Sequence, residues 1–120
     1  MREIKFRLWN DYDKKMLNWS YLLERNLANI FTLPSYKKWL MQYTGLKDKN
    51  GKEIYEGDIV KIDCPTMKMT GEIKYSEMSA TFFIYDEIIE ETLWYQKEEL
   101  EVIGNIYENS NLLKGADNIE

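Results

Sequence analysis

Polar and apolar residues alternate at the start of the chain, with Ile4, Phe6 and Leu8 on one side and Glu3, Lys5 and Arg7 on the other. That period of two is the pattern of a half-buried β-strand. Asp11-Tyr12-Asp13-Lys14-Lys15 reads as a turn, and Met16 to Trp19 resumes an extended pattern, so a β-hairpin is expected first. From Tyr21 the spacing changes. Leu22, Leu23, Leu27, Ile30 and Phe31 share one helical face, Ser20 is placed to cap it and Pro34 to stop it, which predicts a short helix near 21–31. A strand is the open alternative, because short apolar segments do not separate the two periods.

Lys37 to Tyr43 reads as extended, with Trp39, Met41 and Tyr43 on one side and Thr44-Gly45 as its end. The stretch GLKDKNGKEIYEGDIVKI, residues 45–62, then carries two reversals. Asn50-Gly51 is the dipeptide favoured where both central residues of a turn need positive φ, and Glu56-Gly57-Asp58 makes the second. Ile59, Val60 and Ile62 begin a strand that Cys64-Pro65 ends or bends. Met69 to Tyr75, Thr81 to Tyr85 and Glu101 to Tyr107 read as further strands, the last with Gly104 at a bulge or a close approach. Asp86 to Leu100 is ambiguous, with one helical turn expected at residues 96–100. Short strands at this spacing predict a mainly β protein built on a small barrel.

Composition adds the energetic side. At 120 residues, with 44% hydrophobic and 14% aromatic positions, the chain has enough apolar area to bury a core without a disulfide. The amino-terminal segment MREIKFRLWN has charges where a leader peptide needs an apolar stretch, and no later run has the length of a membrane span. A cytoplasmic protein is expected, and the single cysteine, Cys64, fits a reducing compartment. Net charge is −5, but unevenly placed: residues 1–52 hold eleven Lys or Arg against five Asp or Glu, and residues 53–120 hold five against sixteen. Either the two parts attract each other or one of them meets a charged partner.

The chain has no histidine, which removes the commonest general base and every Ser-His or Cys-His nucleophile arrangement. Glu87, Glu90 and Glu91, then Glu98, Glu99 and Glu101, are carboxylates close enough in sequence for a hard cation or an acid and base pair, and a solvated face explains them equally well. Asp48-Lys49-Asn50-Gly51 departs from a calcium loop, its glycine arriving two positions early, and the glycines at 45, 51 and 57 lack dinucleotide spacing. No cofactor is implied. The basic residues Arg7, Lys14, Lys15, Lys37 and Lys38 lie among Trp9, Tyr12, Trp19, Tyr36 and Trp39. Such a mixture can follow a phosphate backbone and stack on bases, or can be no more than aromatic core residues with solvated lysines between them. Arg7, Lys14, Lys15, Lys37, Lys38 and Trp39 are therefore the candidate residues for binding a partner or nucleic acid.

Three segments together resemble the YopX family of small proteins encoded by phages and prophages. They are Met1 to Trp9, Met41 to Val60 (MQYTGLKDKNGKEIYEGDIV) and Glu101 to Asn109 (EVIGNIYEN). The resemblance implies an SH3-type small barrel over residues 45–109, entered through the Tyr55-Glu56-Gly57-Asp58 turn. Residues 1–44 would form a basic, aromatic-rich β subdomain, and 110–120 a flexible tail. It implies a phage origin and brings no catalytic residue or cofactor with it. A barrel of this type serves many unrelated tasks. The leading expectation is thus a non-enzymatic accessory protein that binds a phage or host protein and self-associates through its unequal charges. A nucleic-acid-binding module and a carboxylate-based metal enzyme are the alternatives.

Overall fold

The computed structural model describes residues 3–25, 36, 38–86, 90–92 (backbone only) and 99–113. The chain is mainly β, with two antiparallel sheets, one of them curled into a half-barrel. Its elements are β1 (Phe6–Asn10), β2 (Lys15–Leu17), α1 (Trp19–Glu24), β3 (Leu40–Lys47), β4 (Glu53–Tyr55), β5 (Asp58–Cys64), β6 (Met67–Ser76), β7 (Thr81–Tyr85), β8 (Glu90–Thr92) and β9 (Leu100–Asn105), followed by a 3-10 turn at Ser110–Leu112. The first sheet has the order β2-β1-β3-β4 and the second β8-β7-β6-β5-β9. Two compact units divide the chain, Met1–Tyr43 and Thr44–Glu120.

In the first unit β1 is the central strand. It pairs antiparallel with β2, Leu8 facing Leu17, and with β3, Phe6 facing Gln42. Alternation predicted one buried side for β1, but Leu8 and Trp9 are both buried while Ile4, before the strand, is 58% exposed. Successive residues point to opposite faces, so the unit covers β1 on both sides near its end. The helix differs from expectation. Asn18, not Ser20, is its N-cap, the Asn18 side chain accepting from Tyr21 N at 2.9 Å, and α1 ends at Glu24. An Asn side chain one residue after β2 satisfies a free N–H and so starts the helix before the periodic residues begin. Residues 26–35, which carry the rest of the expected helix, lie outside the described residues. Leu8 and Leu22 form a small core, flanked by Leu17, Trp19, Tyr36, Trp39 and Leu40.

The second unit is built on a larger core of Ile54, Val60, Ile62, Met69, Ile73, Ile84, Leu100 and Val102. Each fully buried aliphatic side chain of this size stabilises the fold by about 1.5–3 kcal/mol relative to exposure. In β6 the buried residues Met69, Gly71 and Ile73 recur at every second position, as a half-buried strand requires, and β5 alternates from Val60 to Ile62 after a start, Asp58 to Val60, that is buried throughout. The predicted bulge at Gly104 is present, and a close approach accompanies it. Ile59 faces Gly104 while Val60 faces Val102, leaving Ile103 as the extra residue of β9. A Cβ on Gly104 would meet the Asn109 side chain at 2.5 Å. The helical turn expected at 96–100 falls mainly outside the described residues, and Leu100 begins β9.

Two strand details depart from the sequence expectation. β3 does not end at Thr44-Gly45 but continues to Lys47, because Gly45 takes a positive φ of 89° inside it. Thr44 Oγ1 donates to Ile54 O at 2.8 Å and accepts from Leu46 N at 3.2 Å, which ties the kinked segment to β4. Second, only Gly51 of the Asn50-Gly51 pair has positive φ, at 84°. The loop is instead a turn closed by Gly51 N to Asp48 O at 3.0 Å, followed by a left-handed glycine, the usual three-residue hairpin solution.

Candidate interaction groove

Two carboxylates in the 45–62 stretch are buried, and both hold backbone rather than a ligand. Asp48 Oδ1 accepts from Asn50 N and Lys52 N, each at 2.9 Å, and its Oδ2 accepts from Val102 N at 2.9 Å. Lys49 N donates to Leu100 O at 2.9 Å, so the loop satisfies groups on β9, which stands at the end of its sheet. Burial alone would raise the Asp48 carboxyl, but the three N–H bonds from Val102, Lys52 and Asn50 outweigh it and hold the group below its ordinary value. Asp58, 2% exposed, accepts from Tyr55 N at 2.8 Å and closes the Tyr55-Glu56-Gly57-Asp58 turn. Gly57, with φ of 82°, donates to Ile73 O and accepts from Ile106 N, both at 2.9 Å. These residues are occupied in aligning β5 with its neighbours.

Among the described residues, no three Asp, Glu or Cys side chains come together as metal ligands. Glu87 and Glu98 lie outside the description, as do the side chains of Glu90 and Glu91. Cys64, at the end of β5, is partly buried and donates to Met67 O at 3.4 Å.

An open concavity among the described residues of the first unit is a groove of about 650 Å³ lined by Leu8, Trp9, Asn10, Asp11, Tyr12, Leu17, Tyr21, Arg25, Tyr36 and Trp39. Local sequence explains how the rings are held. Asn10 Oδ1 accepts from the backbone N–H groups of Tyr12 and Asp13, each at 3.1 Å, and fixes the turn between β1 and β2. Lys14 completes that turn with a φ of 57°. Tyr12 is thereby displayed with 95% of its surface exposed. Trp9 N donates to Trp39 O at 3.1 Å, and Trp39 N to Tyr36 O at 3.0 Å, which brings these three aromatic residues to one place. Helix α1 buries Leu22 and leaves Tyr21 outward, with the Arg25 guanidinium one turn on, 4.8 Å from the Tyr21 ring centroid.

Charge in the groove is mixed. Asp11 accepts from Lys14 Nζ at 2.8 Å and from Trp9 Nε1 at 3.1 Å, and these bonds hold its carboxyl below the ordinary range, Lys14 contributing most. Lys38 Nζ lies 4.6 Å from the Trp39 ring centroid.

Of the six candidate residues, Trp39 lines the groove and Lys38 sits against it. Lys14 is engaged by Asp11 beside it, Lys15 is exposed at the start of β2, and Arg7 is half-buried in β1. Lys37 lies outside the described residues. Four of the five aromatic residues grouped with them in sequence, Trp9, Tyr12, Tyr36 and Trp39, do line the groove. The fifth, Trp19, packs on Phe6 with ring centroids 5.9 Å apart. Sequence reasoning passed over Tyr21 and Arg25. Their signal was a ring and a guanidinium four residues apart on a helix whose inward residue is Leu22.

The model for YopX protein matches residues 5–114. The chain belongs to the YopX family. A crystal structure of protein EF1440 from Enterococcus faecalis is similar to this YopX-family chain at 29% sequence identity, with a TM-score of 0.64, and the match covers 95% of this chain and 100% of that one. No curated protein matches it. Among the described residues of this YopX-family chain, no helix is long and apolar enough to cross a membrane.

Proposed function

We propose that this YopX-family chain is a phage-encoded accessory protein that acts in the host cytoplasm without catalysis, by binding another protein through the aromatic groove of its first unit. The observation that supports this reading is the lining itself. Five Trp and Tyr residues and an exposed Arg surround one concavity, and these three residue types dominate the energetics of protein interfaces. Tyr12 carries most weight. A ring 95% in water contributes little to the fold, and beside the other rings of the lining it adds to one aromatic patch.

The test is comparative capture. Wild-type protein and the Tyr12→Ala/Tyr21→Ala variant, both exposed positions, are immobilised and challenged with extract from a bacterial host. The expected result is a protein retained by wild type and lost from a variant that melts at the same temperature. Identical retention by the two columns would sink the groove as the binding surface.

Single-stranded nucleic acid is the second reading, supported by Lys38 over Trp39 and by exposed Lys15. It predicts oligonucleotide binding that weakens steeply as salt rises. The pairing of Lys14 with Asp11 weighs against it, since the acidic partner stands in the groove itself. No retention of oligonucleotide at low salt removes it.

A further inference from the structure

Asn50 is the one asparagine of the chain that glycine follows, and the pair carries a chemistry of its own. A glycine puts no side chain beside its backbone nitrogen, so that nitrogen can reach the Cγ of the preceding asparagine and close a succinimide ring. Nothing crowds the pair here. Asn50 is exposed, and a Cβ built on Gly51 would meet no atom within 4 Å. What opposes closure is the hydrogen bonding of the turn. Gly51 N, the attacking atom, donates to Asp48 O at 3.0 Å, while Asn50 N and Lys52 N both donate to Asp48 Oδ1 at 2.9 Å. Asp48 N donates in turn to Lys52 O at 2.8 Å. Closure also swings Gly51 N to eclipse the Asn50 Cβ, whereas the third residue of a type I turn keeps ψ at about 0°.

We propose that Asn50-Gly51 is a self-modifying site, which Asp48 keeps closed and whose conversion releases the edge of β9. When the loop opens, Gly51 N gives its proton to solvent base and attacks Asn50 Cγ. The N–Cγ bond forms, the Cγ–Nδ2 bond breaks, and the side-chain nitrogen takes a proton from solvent and leaves as ammonia. Water then adds to either ring carbonyl and breaks its bond to the ring nitrogen, leaving aspartate or isoaspartate at position 50. Water enters and ammonia departs, with no change of oxidation state. In isoaspartate the main chain runs through Cβ and Cγ, which inserts a methylene between the backbone nitrogens of residues 50 and 52. Those are the donors that share Asp48 Oδ1. The longer loop no longer presents both to one oxygen while Asp48 Oδ2 meets Val102 N and Lys49 N meets Leu100 O. These β9 groups are then left to solvent at the end of their sheet. Loss of ammonia is irreversible, so the pair sets a lifetime on the edge that Asp48 covers. The site is independent of the groove.

Peptide mass mapping of the full chain held at mildly alkaline pH tests it, reading the mass gained at residue 50 when NH₂ becomes OH, with an isoaspartyl methyltransferase to label isoaspartate. Wild type is followed folded and in urea, beside Asp48→Asn kept well below its melting temperature. The opened fraction governs the rate. Folded wild type is expected to convert more slowly than the chain in urea, and folded Asp48→Asn about tenfold faster than folded wild type. In the isoaspartate form of wild type, hydrogen exchange at Val102 N is expected to rise while the amides between β5 and β6 stay protected. Equal rates for folded and unfolded wild type, a folded Asp48→Asn no faster than wild type, or a modified protein whose Val102 N–H exchanges as slowly as before overturns the proposal. Gly51→Ala separates ring closure from mere loosening. Its loop is strained by the φ of 84°, yet the added Cβ hinders the attacking nitrogen, so conversion at Asn50 is expected to fall. Conversion that rises in Gly51→Ala means simple hydrolysis of an exposed amide and also overturns it.

Discussion

Asp48→Asn is the substitution that best probes how the loop after β3 is held. The native carboxylate accepts three backbone N–H groups, two at Oδ1 from Asn50 and Lys52 and one at Oδ2 from Val102. In the amide one oxygen position becomes NH₂. The Asn50 and Lys52 bonds are the local ones and keep the remaining oxygen, so the amide nitrogen is turned toward Val102 N, donor against donor. Val102 is buried and belongs to β9, far along the chain from residue 48, so its N–H has no water to turn to. An unmet buried donor costs about 1–3 kcal/mol, and the charge-assisted character of the other two bonds is lost as well. We expect about 2 kcal/mol of destabilisation, which corresponds to a fall in Tm of about 10 °C for a unit of this size. Asp48→Ala, which removes all three acceptors, costs more.

Urea titration read by tryptophan fluorescence measures the difference as a shift of the midpoint at constant m. The pH dependence supplies an independent check. The Asp48 carboxyl is held below its ordinary value in the folded state, so its contribution is present above the unfolded pKa and disappears as pH falls through the folded one. The gap between wild type and Asp48→Asn therefore narrows toward acid. A variant within about 0.5 kcal/mol of wild type at neutral pH, the range of an ordinary surface change, refutes the reasoning, as does a gap that widens on acidification.

Two glycines separate steric from conformational cost. A Cβ on Gly71 meets Tyr85 O at 2.6 Å and Ile84 Cγ2 at 2.8 Å between paired strands, so Gly71→Ala should cost about 2–3 kcal/mol. Gly51 has open space around it but a φ of 84°, so Gly51→Ala should cost only about 1 kcal/mol; paired urea titrations showing the reverse order would contradict this account. Glu72, partly buried opposite Ile59 and Tyr85, has its carboxyl raised by burial, an effect that Lys74 only partly offsets. Its native pKa above the unfolded one makes its contribution favourable at low pH and lost as pH rises through the native value. Glu72→Gln should therefore raise Tm at neutral pH and lose that advantage below the ordinary carboxylate pKa, and a Tm difference that does not vary with pH removes the argument.

The strands of the second unit were legible because each obeys a local rule. Val60 and Ile62 in β5, and Met69, Gly71 and Ile73 in β6, are buried at every second position, and alternation with one buried face leaves a strand little choice of register. Gly104 was legible for the same reason, since a glycine inside a strand pattern has few structural explanations and here serves two of them, bulge and contact with Asn109. The first unit was less so. Its helix begins at an asparagine cap outside the apolar repeat, and at the start of the second unit Gly45 carries β3 through a point where composition suggests an end. Capping bonds and single left-handed residues act below the resolution of hydrophobic period.

The sequence by itself determined the fold class, the family and the stretch 45–62 that carries both, since strand period, turn residues and a long ordered run of specific residues are local properties. Of its two aspartates, Asp48 opens a calcium-loop pattern that the sequence does not complete, and Asp58 belongs to the second reversal. What only the tertiary structure decided is where their lone pairs go. Asp48 serves Val102 and Asp58 closes the turn at Tyr55, pairings set by strand register. It also decided which of the scattered aromatic residues share a surface. Tyr12, Tyr21 and Trp39 stand on a turn, a helix and a strand entrance, and the ladder between β1, β2 and β3 collects them at one groove.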